Sequence, residues 1–488
     1  MRGGLLCLSV FISTPAFLAF GPLVLTDIAV TLFSLTTLWT LAEMWRRPAG
    51  ATVAWFALSL AAALLSKFSA GLLLIACVVF GASLHWFPGP QPLFGQSEGR
   101  AWRRRGWRNT GKGVLWAALI VYAVYLLLSW NQPSTMLEFI GRGPAALVVR
   151  RLLMPPLLFG FGLAGFAFGA SRPTFVLGHA YAHGVWFYFP VLVLLKSTLA
   201  CLGLLALAAA VAVVARRRLG RRPFEIVKGM ELHWRAVWVF FGVFLVACLL
   251  SRLDLSIRHF AFPLVAMTLL LAPLPRRLDA LHESGWRLAR ACGLLSVALA
   301  AVSVLTAIRA YPNYIPFLNS LSRGHPGYEL VNDSNLDWNQ ALPEVRRFAE
   351  GRGLREVLID EYGYSEPEVY VPGARFWNCQ QPSASDAGRW AVVSANMILE
   401  SHNCPWLLWY PHEKLAGGSM YAFQLPAVIP APGAADGPPL PKDYHNFGGT
   451  SGAWPDLRLI FLDGIRDPQQ LPAMMSQLMA LGPPNHQP

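Results

Sequence analysis

Asp27 is the residue in the apolar part of the chain whose setting is most unusual. It stands in residues 23–30, at the seam between two apolar runs. Acid is scarce there, since residues 1–309 contain nine Asp or Glu against twenty-nine Lys or Arg. An ionisable group at a membrane boundary is costly and is a functional hypothesis by default. Asp27 can act as a general base or hold a divalent metal. Alternatively, it caps a helix that begins beside Thr26.

Four cationic side chains recur near the ends of apolar runs and suit the binding of a lipid phosphate. Lys67 lies in a turn that splits a long apolar run, and Lys196 lies about two turns into another. Arg258 and His259 open a further apolar run. The alternatives are a snorkelling side chain for Lys67 and a hydrogen-bonded helix start for His259.

Aromatic and histidine side chains precede the run that contains Lys196. Tyr181, His183, Trp186 and Tyr188 are typical of an interfacial belt, and their alternative role is a wall that faces the acceptor or the sugar. His179 and His183 have the i, i+4 spacing of a metal pair on a helix, but no third ligand is evident. No metal site or cofactor motif is predicted, and a divalent metal at Asp27 stays open.

The elements that must position these residues are transmembrane helices. The chain has 488 residues, of which 55% are hydrophobic and 14% are charged, whereas a soluble domain carries about 25% charged residues. Apolar runs of spanning length recur through residues 1–309. We predict an α-helical polytopic membrane protein with nine spans, near residues 4–21, 27–45, 52–66, 69–87, 113–130, 190–215, 234–251, 257–274 and 289–308.

Positive charge sets the predicted orientation. The formal net charge is +13, but residues 310–488 contain eighteen acids and eleven bases. The excess therefore lies in the loops of the membrane part, which argues against a nucleic-acid partner. Nine spans with a cytoplasmic N-terminus place all four basic clusters inside the cell. These clusters are residues 46–47, 100–112, 216–222 and 276–290.

One apolar stretch does not fit this count. Residues 152–170 lie in the long loop 131–189 and contain Pro155 and Pro156 near their start. A single crossing there would move the later basic clusters outside. We therefore expect this stretch to be re-entrant or to lie at the membrane interface.

Residues 310–488 are predicted to form an extracytoplasmic α/β domain. The pattern Asp337-x-x-Gln340 predicts a capped helix through Glu350. Strands are predicted at 356–360, 390–394 and 420–424, a loop at 425–455 and a final helix at 467–481. The polar run 332–338 is typical of turn chemistry and a helix cap, or of a glycan site with Trp338 as a stacking platform. An extracytoplasmic location would allow a disulfide between Cys379 and Cys404.

These motifs, in this order, resemble one family. Thr26-Asp27 after a proline-containing span and residues 63–69 around Lys67 resemble the dolichyl-phosphate-mannose protein mannosyltransferases, whose bacterial relatives include the aminoarabinose transferases that modify lipid A. Residues 183–190 with Lys196, Arg258-His259 with Pro263, and residues 311–338 are similar to an uncharacterised bacterial branch. The resemblance covers most of residues 5–350.

The resemblance implies an inverting glycosyltransferase of the inner (plasma) membrane that uses a polyprenyl-phosphate sugar donor on the outer face. A glycolipid or a protein would be the acceptor. Asp27 would serve the acceptor side, and Lys67, Lys196, Arg258 and His259 would bind the lipid phosphate. The alternative is a non-enzymatic or degenerate protein of the same fold, such as a transporter or a glycan-binding protein.

The sequence departs from the family at its start. The family carries its principal acidic motif in the first outer loop, and this sequence begins downstream of that point. We therefore expect an N-terminally incomplete product that lacks the first spans and the acidic loop, and that is inactive as given. The alternative is a base supplied by another acid or by another chain. Glu138 and Asp254 are the other acids predicted to face outward before residue 309.

Overall fold

The computed structural model describes residues 1–23, 25–86, 96–131, 137, 143–167, 174–219, 230–363, 366–399 and 404–429. These residues form two compact units. The helical unit contains Met1–Pro173 and Ala182–Tyr314, and the C-terminal unit contains Thr174–Tyr181 and Ile315–Pro488. The division at Tyr314 lies five residues after the predicted end of the membrane part at 309, and Thr174–Tyr181 comes from a predicted outer loop.

The described residues of the helical unit include thirteen α-helices. They are α1 (Arg2–Ile12), α2 (Pro15–Phe20), α3 (Thr26–Arg46), α4 (Gly50–Ser66), α5 (Leu72–Trp86), α6 (Gln96–Ser129), α7 (Pro144–Ala167), α8 (Tyr188–Lys196), α9 (Leu199–Leu219), α10 (Leu232–Leu249), α11 (Ala261–Leu269), α12 (Leu274–Glu283) and α13 (Ala289–Ala310). Single 3₁₀ turns, Phe68–Gly71 and Ile257–Phe260, precede α5 and α11.

Eight helical segments within the described residues are long and apolar enough to cross a membrane. This confirms a mostly helical architecture with several helices of membrane-spanning length, eight within the described residues where nine spans were predicted. Two predicted spans are shorter helices, Arg2–Ile12 and Gly50–Ser66. Pro144–Ala164, which overlaps the stretch 152–170 that was expected to be re-entrant or interfacial, is long and apolar enough to span.

Two predicted spans each divide into two helices beside hydroxyl residues, which hydropathy does not detect. The span 4–21 divides where Thr14 Oγ1 bonds back to the Val10 carbonyl oxygen at 2.7 Å and Pro15 starts α2. The span 190–215 divides at Ser197, whose backbone is extended. Thr198 then caps α9 by accepting a hydrogen bond from Cys201 N at 3.1 Å.

Helix α7 contacts one end of its neighbours. The Arg151 guanidinium lies 4.6 Å from the Trp130 ring, just beyond the end of α6. The Phe159 ring lies 5.9 Å from that of Phe68, directly after the end of α4. Helices α4 and α6 run in the same direction. Gly106 of α6 lies against Trp45, close to the start of α4, and Gly113 lies against Phe56, farther along α4. Both contacts of α7 are therefore near the same end of the bundle.

Trp45 lies at the centre of an aromatic cluster at the opposite end of the helical bundle. Its side chain is fully buried, and its ring packs edge-on against Trp102 and Trp107 at 5.3 and 5.9 Å. Its indole Nε1 donates to Thr110 Oγ1 at 3.1 Å. A Cβ on Gly106 would lie 2.5 Å from the Trp45 ring, so only glycine lets α6 approach this closely.

The C-terminal unit contains a five-stranded sheet and a separate hairpin. The hairpin strands are β1 (Thr174–Val176) and β2 (His179–Tyr181), and the sheet strands are β3 (Val357–Asp360), β4 (Ala374–Phe376), β5 (Trp390–Ser394), β6 (His412–Leu415) and β7 (Met420–Gln424). The sheet order is β4-β3-β5-β7-β6, with β4, β3 and β5 parallel and β7 and β6 antiparallel. The hairpin bridges to the remainder of this unit where Val176 pairs with Val331.

The predicted strands agree with the structure, whereas the predicted helix after Asp337 begins later than expected. Helix α14 (Leu342–Gly351) starts after Ala341, and Asp337 is not its cap. Two further short helices are α15 (Pro367–Tyr370) and α16 (Ala395–Leu399). Cys379 and Cys404 form a disulfide with their Cα atoms 6.0 Å apart. The helix predicted at 467–481 and most of the loop predicted at 425–455 lie outside the described residues.

Candidate functional site

Asp27 and Lys67 form a direct ion pair in the helical unit. Asp27 is the second residue of α3, and Lys67 follows the last residue of α4. Lys67 Nζ lies 2.5 Å from Asp27 Oδ1, and the Asp27 and Lys67 side chains are 6% and 27% exposed. Leu25 is the N-cap residue of α3, and no side chain caps that end. The carboxylate therefore does not cap its own helix and is held by a cation from the neighbouring helix.

Arg258 and His259 lie on the turn Ile257–Phe260, beside this pair. Ser256 fixes the start of the turn, because its Oγ accepts a hydrogen bond from Arg258 N at 3.4 Å. The charges of Asp27, Lys67 and Arg258 all act on the His259 imidazole. Asp27, Lys67, Arg258 and His259 are hereafter called the Asp27 cluster. It combines one carboxylate with one ammonium group, one guanidinium group and one imidazole.

Lys196 is buried at the end of α8. Helix α8 packs on the turn that carries His259, where the Phe189 ring stacks on Phe260 with centroids 5.1 Å apart. Lys196 follows Phe189 by two helical turns, which carries it about 10 Å along the helix axis from that contact. Its side chain is only 4% exposed. The helix that carries Lys196 therefore packs against the turn that carries Arg258 and His259, and Lys196 lies farther along that helix.

The four residues predicted to form an acceptor or sugar wall are in different settings. Tyr188 is completely buried, whereas Trp186 is exposed. His183 is exposed and belongs to the helical unit, but Tyr181 lies on β2 of the C-terminal unit. Tyr188 therefore contributes to packing, and Trp186 and His183 are the members of this set that a ligand of the helical unit can reach.

Metal binding finds little support among the described residues. His179 lies on a strand, so its spacing to His183 is not the helical i, i+4 arrangement. Within the described ranges no group of three His, Cys, Asp or Glu side chains is arranged to hold a metal ion. Glu138, one of the acids expected to face outward, lies outside those ranges.

Asp254 connects two segments that lead into the site, a role that the sequence did not reveal. Its Oδ2 accepts a hydrogen bond from Val185 N at 2.7 Å, and Gly184 N donates to Arg252 O at 3.2 Å. A Cβ on Gly184 would lie 2.7 Å from Asp254 Oδ2, which explains the glycine. Burial raises the pKa of the Asp254 carboxyl to about 7, although the Val185 N–H opposes this shift. Asp254 thus ties the start of α8 to the loop that carries Arg258.

The polar run 332–338 is an internal feature of the C-terminal unit. Ser334 and Asn335 are completely buried, and Tyr362 Oη donates to Asp333 Oδ2 at 2.8 Å. The Asn396 amide nitrogen donates to the Asp333 carbonyl oxygen at 3.1 Å. Most of the run is therefore enclosed and stabilises the fold, and Trp338 is its exposed member.

Asp337 is the titratable residue at the centre of this network. Its Oδ2 accepts a hydrogen bond from Ser394 Oγ at 2.7 Å, and its Oδ1 accepts one from Asn339 N at 3.1 Å. Burial, followed by the nearby negative charge of Glu361, raises the pKa of Asp337 to about 7 against these hydrogen bonds. Asp337 therefore exchanges a proton near neutral pH.

Comparisons of the chain with models of protein families, with curated proteins and with solved structures found no match. The family resemblance of the motifs therefore stays a prediction. A function for the chain can be inferred from the geometry of the Asp27 cluster and from the chemistry of its four side chains.

Proposed function

We propose that the protein is an integral-membrane glycosyltransferase that moves a sugar from a polyprenyl-phosphate donor to an extracytoplasmic acceptor, with inversion at the anomeric carbon. The observation that carries the proposal is the Asp27 cluster. It places a buried carboxylate against an ammonium group, beside a guanidinium and an imidazole, where apolar helices end. A sugar transferase of this kind needs one base for the acceptor and several cations for the departing phosphate.

The distribution of basic residues supports a cytoplasmic N-terminus in the cell membrane. Arg46 lies next to Trp45, whose ring contacts Trp102 from the second basic cluster, so two of the four clusters share one end of the bundle. The Asp27 cluster lies at the opposite end of α3 and α4, on the side that we assign to the exterior. The disulfide between Cys379 and Cys404 suits an oxidising compartment for the C-terminal unit.

Helix α7 fits this orientation as a helix at the outer interface. Its contacts with Trp130 and Phe68 lie near one end of α6 and α4, respectively. Two further contacts, from Tyr122 Oη to Leu152 O at 3.1 Å and between the Tyr125 and Phe159 rings, also lie in the last two turns of α6. With α7 at the interface, the later basic residues of α9 and α12 stay on the cytoplasmic side.

The reaction assigns a separate task to each member of the cluster. The oxygen of the acceptor hydroxyl attacks the anomeric carbon, and its proton passes to the Asp27 carboxylate. The bond from the anomeric carbon to the phosphate oxygen breaks, and its electron pair leaves with the lipid phosphate. Lys67, Arg258 and His259 stabilise that phosphate, which gains charge in the transition state. Lys196 provides a further cation along α8.

The ion pair also suggests how donor binding prepares the base. In the free protein Lys67 Nζ occupies Asp27 Oδ1. A phosphate entering beside Arg258 would compete for the same ammonium group, because it offers several strong acceptor oxygens. Once Lys67 turns to the phosphate, the carboxylate is free to accept a proton from the acceptor.

The proposal is tested by binding of polyprenyl phosphate to the purified full-length chain. Arg258→Gln and Lys67→Gln each remove one cation, and we expect each to weaken binding at least tenfold, since hydrogen bonds to charged groups contribute about 1.5–3 kcal/mol. Arg252→Gln is the matched control, because Arg252 is an exposed cation on the same loop. Its affinity should equal that of the parent.

Equal loss of affinity in all three variants would indicate general attraction to an anion and would contradict the assigned site. Binding without any transfer, when a sugar-loaded donor and envelope acceptors are supplied, would favour the alternative of a non-enzymatic lipid-linked-glycan handler.

A further inference from the structure

A groove between α1, α12 and α13 lies outside the Asp27 cluster. It has a volume of about 550 Å³. Its walls include Leu5 from α1, Leu278 from α12, and Gly293 and Val297 from α13. Leu5 and Val297 are exposed large apolar side chains. The groove therefore presents an open apolar surface within the helical unit.

The hydroxyl protons in the groove are used within the helices that carry them. Ser9 and Ser296 are the hydroxyl side chains in its lining. Ser9 Oγ donates to the Leu6 carbonyl oxygen at 2.9 Å, and Ser296 Oγ donates to the Cys292 carbonyl oxygen at 2.7 Å. Neither hydroxyl therefore has a proton left to donate to a ligand. A hydrocarbon chain fits these walls, whereas a sugar or a peptide backbone would leave its polar groups unpaired.

Two arginine side chains lie at one end of the groove. Arg2 and Arg290 belong to its lining and lie at the first turns of α1 and α13. Arg2 forms an exposed, long ion pair with Asp279 at 3.7 Å. Among the described residues Arg290 forms no ion pair, and neither do Arg276 and Arg287 nearby. The mouth of the groove therefore has unneutralised positive charge.

The neighbouring helix end adds to this charge. Helix α9 ends with Arg216, Arg217 and Arg218. Its last turns share an apolar cluster with α12, in which Ala215 and Leu278 both take part. The arginines of α9 and the mouth of the groove therefore lie at the same end of the helical unit. This is the end that an anionic membrane surface attracts most strongly.

We propose that this groove binds one anionic glycerophospholipid. One acyl chain lies along α1 and α13, and the phosphate lies between Arg2 and Arg290. From Arg290 to Ala300 the groove follows α13 for about 15 Å, enough for the upper part of an acyl chain. Apolar contacts alone would not select this lipid, because bilayer chains are as apolar as the groove. The selection comes from the arginines.

This site depends on the membrane setting of the helical unit and not on the proposed sugar transfer. It lies at the end of the bundle away from the Asp27 cluster. Loss of lipid binding here would leave the binding of polyprenyl phosphate at the cluster unchanged. Failure of either proposal can therefore be recognised separately.

The test measures binding of fluorescent phosphatidylglycerol and phosphatidylcholine to the purified full-length chain in detergent. We expect the parent to prefer phosphatidylglycerol. The double variant Arg2→Gln/Arg290→Gln should bind it about 25-fold more weakly, since each cation near an anionic lipid contributes about fivefold. Arg290→Lys keeps the charge and should retain most of the affinity, which shows that the variant site is folded.

A second variant tests the groove itself. A Cβ on Gly293 meets no atom within 4 Å, so Gly293→Phe projects into open space and should block the acyl chain of either lipid. Gly242→Phe on α10 is the matched control, since a Cβ there also meets no atom within 4 Å. Arg309→Gln, at the other end of α13, is the charge control. Both controls should bind phosphatidylglycerol as the parent does.

Three outcomes would overturn the proposal. The first is equal affinity of the parent for the two phospholipids. The second is an Arg309→Gln defect as large as that of the double variant. The third is polyprenyl phosphate binding that depends on Arg2 and Arg290 and is tighter than that of phosphatidylglycerol, which would assign the groove to a different lipid.

Discussion

We expect the Asp27–Lys67 ion pair to couple α3 to α4 energetically. The perturbations are Asp27→Asn, Lys67→Gln and the double variant, all of which keep side-chain size close to the parent. Nζ and Oδ1 lie 2.5 Å apart, and both side chains are mostly buried. A hydrogen bond between charged groups contributes about 1.5–3 kcal/mol, and burial limits the screening that weakens exposed pairs. The double variant should therefore lose less stability than the sum of the single variants by about 1.5–3 kcal/mol.

The assay is thiol labelling of Cys77 in the full-length chain under graded denaturant, with the labelled peptide followed by mass spectrometry. Cys77 is 3% exposed and lies in the same apolar core as Leu41 of α3 and Leu60 of α4, so its labelling reports opening of this region. The control is the Arg46–Glu43 pair at the other end of α3, which is 2.8 Å long but has an Arg46 side chain that is 51% exposed. Its coupling should not exceed about 0.5 kcal/mol.

The coupling is refuted if the effects of the two substitutions at Asp27 and Lys67 add within about 0.5 kcal/mol, as they do for sites without contact. A coupling energy as small as that of the exposed control pair would refute it equally. Either result would mean that solvent or neighbouring cations replace Lys67 at no cost.

Three further outcomes follow from the structure. Burial raises the pKa of Asp337 from about 4 in the unfolded chain to about 7, so the folded chain holds an extra proton between these pH values. The free energy of unfolding of the C-terminal unit should therefore fall by about 1.4 kcal/mol per pH unit as the pH rises from 4 to 7. Asp337→Asn should remove this pH dependence. Gly184→Ala should destabilise the helical unit by about 1–3 kcal/mol, because its Cβ would lie 2.7 Å from a carboxylate oxygen of Asp254. Gly242→Ala, whose Cβ meets no atom, should leave the stability unchanged. Equal melting curves for the two variants would contradict the close approach at Gly184. A membrane-impermeant maleimide should label Val428→Cys in intact cells and Arg287→Cys only after permeabilisation, and the reverse pattern would overturn the orientation.

Much of the fold follows from short-range patterns. The strands Trp390–Ser394 and Met420–Gln424 have the bounds that their composition predicts. Helix α3 was placed within a residue of each end, because a long apolar run flanked by a polar start and basic residues leaves little choice. These elements are specified by residues that are close in sequence.

The remaining features depend on contacts between distant residues. Ser13 and Thr198 each lie within hydrogen-bonding distance of Ser303 Oγ, at 2.9 and 2.8 Å, so the helix breaks beside them are stabilised by a third helix. The hairpin Thr174–Tyr181 joins the C-terminal unit because Leu177 N donates to Leu330 O at 2.8 Å. Hydropathy and local propensity contain no information on such pairings.

The candidate site was predictable in composition but not in arrangement. Asp27 and Lys67 were expected at one membrane level, and the ion pair between them is a tertiary contact between α3 and α4. Tyrosine is a residue type typical of the membrane interface, yet Tyr188 is completely buried in the structure. Asp254 could not be found from its neighbours in sequence, because its partner is the backbone of Val185.

Sugar transfer by the Asp27→Asn variant is the most direct test of the proposed function. The purified parent and variant are reconstituted in vesicles with a polyprenyl-phosphate-linked sugar and envelope acceptors, and the labelled product is counted. We expect transfer by the parent, and a variant that inserts into the membrane and binds polyprenyl phosphate but transfers less sugar by about 100-fold or more. Transfer by Asp27→Asn at the rate of the parent would contradict the role of Asp27 as the base.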